Sequence, residues 1–324
     1  MALSQRLRLW RPDPLIALIL LAVALAIIAP ARGDFAGGLN VATKIAIGLL
    51  FFLYGARLST HDAVQGVKNW RLHSTILGFT YLVFPLLGLA LYPLQGLIGQ
   101  ELYLGLLFMT LVPSTVQSSV AFTSIARGNV AGAIVSASAS NIVGVIATPL
   151  LVMLLMRSDH LTVSGAVFGD IAVQLLLPFV LGQFVRRWVG ELARKSLTRY
   201  VDRLSIALVV YAAFSEGIVQ GIWTRISPWQ VLFLVLLSVA LVEFLLWFSG
   251  AMAKKLGFDD GDRVALQFCG SKKSLATGLP MAAVIFGGGA VGALILPLMV
   301  FHQVQLMVCA AKAARWGRQA EAWH

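Results

Sequence analysis

Residues 267–286 read QFCGSKKSLATGLPMAAVIF, and they set two adjacent lysines, Lys272 and Lys273, inside an otherwise apolar run. A charged side chain at the centre of a bilayer costs about 2.5–3.5 kcal/mol on insertion scales, so an intramembrane lysine normally faces a partner or a wet cavity. The alternative is that the span is short and one lysine extends its ammonium to the headgroups. We interpret the run as a membrane helix that carries a functional site.

The composition identifies the class of protein. Of the 324 residues, 59% are hydrophobic and 12% are charged, whereas about a quarter of the residues in a soluble domain are charged. Ten apolar segments reach the length of about 20 residues that crosses the hydrocarbon: 14–30, 39–57, 72–92, 103–124, 129–155, 165–185, 201–221, 228–250, 262–284 and 290–311. Continuous apolar runs exclude an outer-membrane barrel, whose strands alternate apolar and polar residues. The sequence therefore predicts an all-α integral membrane protein with ten transmembrane helices.

The net charge of +11 is explained by membrane topology, and no nucleic-acid partner is expected. When the 25 Lys and Arg residues are assigned to alternate connections, 19 fall on one side, three fall on the other, and three lie within segments. Cytoplasmic connections carry the excess of Lys and Arg. We therefore expect a multi-pass protein of the cell inner (plasma) membrane, in contact with the lipid bilayer, with both termini cytoplasmic.

The N-terminal region raises the alternative of a signal peptide. Residues 1–33 combine a basic start with an apolar stretch at 15–29. That stretch with its flanks is long enough to span, and its removal would leave an odd number of helices, at odds with the basic C-terminal tail. We interpret it as the first transmembrane helix.

The two halves of the chain, residues 1–160 and 161–324, carry matching irregularities. The fourth segment contains PSTVQSS at 113–119, and the ninth contains GSKKS at 270–274, with Gly278 and Pro280 following. Because each half holds five predicted helices, the second half enters the membrane from the opposite side, which makes the repeat inverted. Interrupted segments at corresponding positions of inverted halves indicate a transporter site near the bilayer midplane. Alternatively, Pro113 and Pro280 are ordinary kinks.

Four motifs resemble the bile acid:sodium symporter superfamily, and most closely its SBF-like branch, which includes a vertebrate cotransporter. They are PSTVQSSV at 113–120, ARGN at 126–129, FCGSKKSL at 268–275 and FHQ at 301–303. The resemblance covers nearly the whole chain. It implies a panel domain (the first, second, sixth and seventh helices) and a core domain (the other six), in which the broken fourth and ninth helices cross. It also implies secondary active transport by alternating access at that crossover.

The sequence departs from the sodium-coupled members of that superfamily. Their ninth helix offers a glutamate and a glutamine–asparagine pair to two sodium ions. Here those positions hold Gln267 and the pair Ser271 and Lys272. Loss of the carboxylate and gain of an ammonium remove much of the attraction for Na⁺. Lys272 or Lys273 could occupy the space of a sodium ion, or could bind and release a proton, so Na⁺ and H⁺ both stay open as coupling ions.

The candidate substrate- and ion-binding residues lie in or near the interrupted segments. They are Gln117, Ser118, Ser119, Asn141, Gln267, Ser271, Lys272, Lys273, Ser274 and His302. Glu216 is a further candidate for a proton or cavity site, whereas Asp170 is expected at the interface. Small residues recur every fourth position at Gly132, Ser136, Ser140 and Gly144, which is typical of close helix packing. Asn141 lies off that stripe.

Two classes of function follow from these residues. A fixed cation at the crossover and the positive ends of half-helices favour a transporter of a small organic anion. An intramembrane enzyme would need a nucleophile with a base, or a metal cluster. The serines have no His–Asp constellation, and Cys269 and Cys309 lack metal-ligand spacing, so we expect neither an enzyme nor a cofactor, Na⁺ excepted. A channel is disfavoured because the polar residues form one focus. The pattern does not distinguish oligomeric states.

Overall fold

The computed structural model describes residues 14–57, 69–156, 172–219, 221, 226–286 and 291–321. All regular secondary structure in these ranges is helical. In chain order the helices of nine or more residues are α1 (Pro14–Ile28), α2 (Gly33–Arg57), α3 (Trp70–Ala90), α4 (Gln100–Leu111), α5 (Gln117–Ile125), α6 (Val130–Leu155), α7 (Leu177–Arg194), α8 (Ser196–Val219), α9 (Pro228–Lys255), α10 (Asp260–Gly270), α11 (Leu275–Phe286) and α12 (Val291–Glu321). Two short helical turns, Tyr92–Leu94 and Gln95–Ile98, lie between α3 and α4. A π turn, Phe79–Val83, interrupts α3, and another, Ala172–Leu176, leads into α7.

The described helices form an all-α membrane protein. Five of them are long and apolar enough to cross a bilayer: α2, α3, α6, α9 and the Gly292–Gln319 part of α12. Large apolar side chains also point outward, for example Ile45, Leu154 and Trp247, each about two-thirds exposed. Exposure to water would cost about 25 cal/mol per Å² of such surface. In a bilayer the lipid tails cover these side chains, so their exposure is favourable.

Helices α1, α2, α7 and α8 form one layer. Helix α2 crosses α7 at very short distance, since a Cβ atom added to Gly55 or Gly182 would collide with the backbone of the opposite helix. Small residues permit such close approach between membrane helices. At the end of α2, the Arg57 Nε donates to the Ala193 carbonyl of α7 at 2.6 Å, and its guanidinium forms an ion pair with Asp202 of α8. These contacts fix α2 against both neighbours.

The remaining helices pack around α5 and α11. Helix α4 lies along α12, and Gly105 allows close contact there, because a Cβ atom at this position would collide with the Leu294 carbonyl. Helix α9 contacts both α10 and α12, and α6 lies against α3, α5 and α10. Aromatic edge contacts fill this layer, for example Phe84 on Phe301 and Phe108 on Phe286. The short helices of the interrupted segments are therefore enclosed by long ones.

The two interrupted segments each consist of two short helices joined by extended or irregular backbone. The links are residues 112–116 between α4 and α5, and residues 271–274 between α10 and α11. Pro113 lies in the first link, as the sequence predicts. Pro280, which the pattern groups with the second break, lies inside α11 instead. Proline removes one backbone donor there, and membrane helices tolerate that loss when neighbouring helices satisfy the freed groups.

Two helix ends differ from the predicted bounds. Helix α7 continues to Arg194, although the sixth segment was predicted to end at 185, and α12 continues to Glu321, ten residues past the predicted 311. Both extensions contain basic residues, so a prediction from hydropathy alone ends each helix too early. The extension of α12 packs on the core, because Gly317 lies directly against the backbone of Ile125.

Candidate functional site

The two breaks contact each other directly. The Ser114 hydroxyl donates to the Cys269 carbonyl at 2.6 Å, and the Ser119 hydroxyl donates to the Phe268 carbonyl at 3.1 Å. In the opposite direction, the Ser274 amide donates to the Pro113 carbonyl at 2.8 Å. An interrupted helix leaves backbone groups without intrahelical partners. Here each break supplies partners for the other, so the two breaks form one unit.

Helix α6 completes the first break with two consecutive side chains. The Ser140 Oγ accepts from the Ser114 amide at 3.0 Å. The Asn141 Nδ2 donates to the Ser114 carbonyl at 2.9 Å, and its Oδ1 accepts from the Thr277 hydroxyl, also at 2.9 Å. Asn141 therefore joins both breaks through the two ends of one amide.

The small-residue stripe on α6 is a packing face, as its spacing predicts. Gly132, Ser136, Ser140 and Gly144 are all buried. The Ser136 hydroxyl lies 2.6 Å from Nδ1 of His73 on α3. A Cβ atom on Gly144 would lie 2.6 Å from the Tyr81 hydroxyl and 2.9 Å from Cβ of Pro113. The stripe lets α3 and the first break approach the backbone of α6.

Lys273 is fully buried, and its ammonium is held by backbone carbonyls. Its Nζ donates to the carbonyls of Thr80 at 2.9 Å, Thr110 at 2.7 Å and Val112 at 2.8 Å. It also lies 4.2 Å from the ring centroid of Phe84. All three N–H donors of the ammonium are used. Lys273 thus lies in a cage of three backbone carbonyls.

Local geometry explains why these carbonyls are available. Thr80 lies in the π turn of α3, where the shifted bonding pattern frees carbonyls, and such turns are frequent at functional sites. Thr110 and Val112 lie at the C-terminal end of α4, where carbonyls lack intrahelical partners and the helix dipole is negative. The end of α4 and the π turn of α3 therefore attract one positive charge.

Gln305 of α12 supports the backbone of Lys273. Its Oε1 accepts from the Lys273 amide at 2.9 Å, and its Nε2 donates to the Lys273 carbonyl at 2.8 Å. The same Nε2 lies 2.8 Å from Nδ1 of His302. The fully buried amide of Gln305 thus replaces the backbone partners that the break removes.

Lys272 is also fully buried, but its surroundings differ. Its Nζ donates to the Ser118 hydroxyl at 3.2 Å and lies 4.2 Å from the ring centroid of Phe122 and 5.7 Å from that of Phe268. Cation–π contacts of this kind stabilise an ammonium by roughly 0.5–2 kcal/mol. The ammonium of Lys273 also lies 5.9 Å from the ring centroid of Tyr81, so each lysine contacts two rings. The difference is that Lys272 has one hydroxyl partner, whereas Lys273 has three carbonyl partners.

A cavity of about 340 Å³ lies beside the two breaks. On the crossover side it is lined by the polar residues Gln117, Ser118, Asn141, Ser274, Thr277 and His302. On the other side it is lined by Tyr54, Arg57, Asp202 and Arg203 of α2 and α8. Its apolar wall includes Phe51, Ile142, Val145, Phe179, Ile206 and Leu306. The volume and the mainly apolar lining with a few convergent polar groups are typical of a site for a small organic molecule.

Two helix starts and three charged side chains determine the electrostatics of this cavity. Helix α5 begins at Gln117 without a side-chain cap, and α11 begins beside Ser274, whose Oγ accepts from the Thr277 amide at 3.2 Å. The positive end of each helix dipole therefore lies beside the cavity, and only the start of α5 lacks a side-chain cap. Arg57 is paired with Asp202, and Arg203 adds a further positive charge.

The structure separates the predicted site residues into three groups. Those that line the cavity are Gln117, Ser118, Asn141, Ser274 and His302. Those that are buried between the breaks are Ser119, Ser271, Lys272 and Lys273. Gln267 lies elsewhere: its Nε2 donates to the Leu246 carbonyl of α9 at 2.9 Å, and its side chain packs over Gly250. Glu216 is half-buried near the end of α8 and is not part of the cavity lining, and Asp170 lies outside the described residues.

Several residues that line or support the site are not predicted from the sequence. Tyr54, Arg57 and Asp202 stand near the ends of predicted segments, where charged and aromatic residues are common and carry no signal. Thr277 is an uncharged residue within an apolar segment, and nothing in the sequence distinguishes it from its neighbours. Gln305 offers the one usable signal, because it is an amide in an apolar segment, one turn after His302.

Comparison with known proteins identifies the family. The model of the SBF-like CPA transporter family matches residues 13–318. The chain belongs to this family. The resemblance to the SBF-like branch of the bile acid:sodium symporters is thereby confirmed.

The relatives of this SBF-like chain cover almost its full length. It is 44% identical to "Putative symporter YfeH" of Escherichia coli over 312 residues, 95% of this chain and 94% of YfeH. It is 47% identical to protein PA2026 of Pseudomonas aeruginosa over 315 residues, 96% of this chain and 94% of that protein. It is 30% identical to sodium/bile acid cotransporter 7 of Rattus norvegicus over 301 residues, 90% and 88% of the two chains. This SBF-like protein is a multi-pass membrane transporter and not an enzyme.

Proposed function

We propose that this transporter moves a small organic anion through the cavity beside the two breaks. One observation carries the proposal: the starts of α5 and α11 both face that cavity, so two helix dipoles present positive charge to one solute. The apolar wall of Phe51, Phe179 and Ile206 suits an uncharged body attached to the anionic group. Arg203 provides a further partner for that group.

We propose alternating access as the mechanism. The layer of α1, α2, α7 and α8 corresponds to the panel domain, and the helices around the breaks correspond to the core domain. The cavity takes its lining from both, so movement of one against the other would open it to alternate sides. The matching breaks in residues 1–160 and 161–324 support two inverted five-helix repeats within a ten-helix bundle, as in other transporters with interrupted helices.

We propose that the termini and the connection between α7 and α8 lie in the cytoplasm of an inner (plasma) membrane. The division of 19 to 3 basic residues supports this orientation. Lys195 is exposed between the two helices, whereas the native thiols Cys269 and Cys309 are buried. A Lys195→Cys variant should therefore react with an impermeant maleimide in inverted vesicles only. Labelling of intact cells would contradict the orientation.

We propose that Lys273 replaces a coupling sodium ion. Its ammonium occupies a cage of three carbonyls, so the space and the ligands that would bind a metal cation are already filled. Transport then requires no sodium. Lys272, with one hydroxyl partner near the cavity residue Ser118, is the candidate for a proton-binding group.

Uptake into proteoliposomes tests the anion proposal. A set of radiolabelled organic anions, with a quaternary ammonium compound as the cationic control, would be compared for saturable uptake. Arg203→Gln should raise KM for the transported anion about tenfold, because a hydrogen bond to a charged group contributes about 1.5 kcal/mol. Arg318→Gln, which changes an exposed side chain near the end of α12, is the matched control. Uptake of the cation alone would contradict the proposal, and non-saturable flux would indicate a channel.

A further inference from the structure

We propose that α7 carries a binding site for the headgroup of an anionic phospholipid of the phosphatidylglycerol type. The site is a surface depression of about 500 Å³, separate from the transport cavity. The lining residues that matter are Phe184, Arg186, Arg187, Trp188 and Glu191, all within two turns of one helix. Nothing in the transport mechanism uses these side chains.

The sequence of α7 changes character within this depression. Leu177, Leu181 and Phe184 are exposed and follow one another at helical spacing, so they present an apolar face to lipid tails. Trp188 follows one turn later and is 69% exposed. Tryptophan is enriched at the level of the headgroups. The depression therefore lies where the acyl chains give way to the polar surface of the bilayer.

Arg187 is arranged to bind a phosphodiester. Its guanidinium carbon lies 4.5 Å from the ring centroid of Trp188. Stacking occupies the face of the guanidinium and leaves its N–H donors in the plane, where they can bind phosphate oxygens in a fixed geometry. Arg186 lines the same depression and brings a second positive charge. The ring also limits the rotamers of Arg187, so little entropy is lost when a phosphate binds.

Glu191 indicates which headgroup fits. Its carboxylate lines the depression one turn beyond Arg187 and accepts hydrogen bonds. The glycerol hydroxyls of phosphatidylglycerol can donate to it while the phosphate binds the arginines. The trimethylammonium of phosphatidylcholine has no N–H or O–H group that could donate a hydrogen bond to this carboxylate. Two arginines and one glutamate give the lining a net charge of +1, which complements one phosphodiester.

The contacts of α7 suggest what a bound lipid would stabilise. The Gln183 Nε2 donates to the Gly55 carbonyl at 2.7 Å, and the Ala193 carbonyl accepts a hydrogen bond from the Arg57 Nε. Both bonds lie on the face of α7 that packs against α2. Gln183 also lines the depression, so a lipid bound there lies beside the junction of α7 with α2. It would hold α7 in this position and thereby support the wall of the transport cavity.

Native mass spectrometry of the full-length protein tests the site. The probes are dioleoylphosphatidylglycerol, dioleoylphosphatidylcholine and dioleoylphosphatidylethanolamine, each added to the delipidated protein in detergent. We expect one phosphatidylglycerol to bind more tightly than the other two lipids. In Arg186→Gln/Arg187→Gln the affinity for it should fall about 30-fold, from the contribution of each basic residue near an anionic lipid.

A matched pair of charge removals and a stacking variant complete the test. Lys254→Gln/Lys255→Gln removes two exposed charges from the end of α9 and should leave the affinity unchanged. Trp188→Leu keeps the charge but removes the stack, and it should weaken binding about threefold, from the contribution of an exposed cation–π contact. Unchanged elution and melting temperature show that each variant is folded. Equal losses in both charge pairs would show diffuse attraction and overturn the site, as would equal binding of the three lipids or a preference for phosphatidylethanolamine.

Discussion

The two breaks cross each other, yet they are stabilised in different ways. The first, at 112–116, is completed by the neutral side chains Ser140 and Asn141 of α6, and it leaves carbonyls pointing inward. The second, at 271–274, contains two lysines and is completed by Gln305 of α12. The second break thus supplies the ammonium of Lys273, and its acceptors are Val112 of the first break, Thr110 at the end of α4 and Thr80 in the π turn of α3. A covalently attached ammonium can hold crossed helices together without any bound ion.

The two lysines of the second break extend the comparison. Irregular backbone lets consecutive side chains point in opposite directions, so Lys273 reaches α3 and α4 while Lys272 reaches α5. Buried charges are stabilised only when their hydrogen-bonding capacity is satisfied. The cage around Lys273 meets that condition, which makes Lys273 a structural element. Lys272 has fewer hydrogen-bond partners, and it is the lysine for which we propose proton binding during transport.

The largest expected effect is that of Lys273→Met. This change keeps an unbranched side chain one atom shorter but leaves three buried carbonyls unpaired, and each unsatisfied group costs about 1–3 kcal/mol. We expect loss of most folded monomer in fluorescence-detected size-exclusion chromatography. Lys272→Met, the matched control, loses one hydroxyl contact and should retain a monomer peak. Equal melting temperatures for the two variants would refute the distinction between the lysines.

Gln305→Leu should have the next largest effect. It removes the Gln305 hydrogen bonds to the amide and the carbonyl of Lys273 and leaves the carbonyl only a 3.4 Å contact with Nδ1 of His302, so the second break loses about 1–3 kcal/mol. Gln303→Leu, a half-buried glutamine two residues away, is the control and should change stability little. The measurement is the melting temperature in detergent. A Gln305→Leu variant as stable as Gln303→Leu would show that the break is held by other contacts.

Asn141→Ala tests the junction between the breaks. The change removes the bond that joins Ser114 to Thr277 and leaves the Ser114 carbonyl unpaired, at about 1–3 kcal/mol. We expect a lower melting temperature and loss of most uptake. Ser138→Ala alters the same cavity wall without breaking a junction, and it should affect uptake only. Comparable stability losses in both variants would contradict the role of Asn141.

Smaller effects are expected from Gln117→Ala and Ser119→Ala. Gln117 lines the cavity, so its loss should reduce transport with little loss of folded protein. Ser119 donates to the Phe268 carbonyl, so its loss should cost about 1 kcal/mol of stability and reduce transport as well. Proteoliposome uptake and melting temperature separate the two. Full transport by both variants would show that the crossover is not the functional site.

Much of this comparison can be predicted from the sequence, for physical reasons. Polar and helix-breaking residues within apolar segments locate both breaks, because their cost in a bilayer is high. The stripe on α6 follows from its four-residue spacing. Cavity residues at helix ends, such as Arg57 and Asp202, have no such cost and give no signal. Gln267 aligns with an ion ligand, but its direction depends on the packing of α9, which no local pattern encodes. No local pattern predicts that the side chains of Lys272 and Lys273 point in opposite directions either.

Initial rates of anion uptake into proteoliposomes test the central claim most directly. Sodium would be replaced by potassium or choline at several pH values, for the wild type and for Lys272→Gln and Lys273→Gln. If the ammonium of Lys273 takes the place of a coupling sodium ion, the wild-type rate is the same in all three salts, and any dependence on pH is lost in Lys272→Gln. Strict dependence on sodium without dependence on pH, unchanged in both variants, would contradict the account.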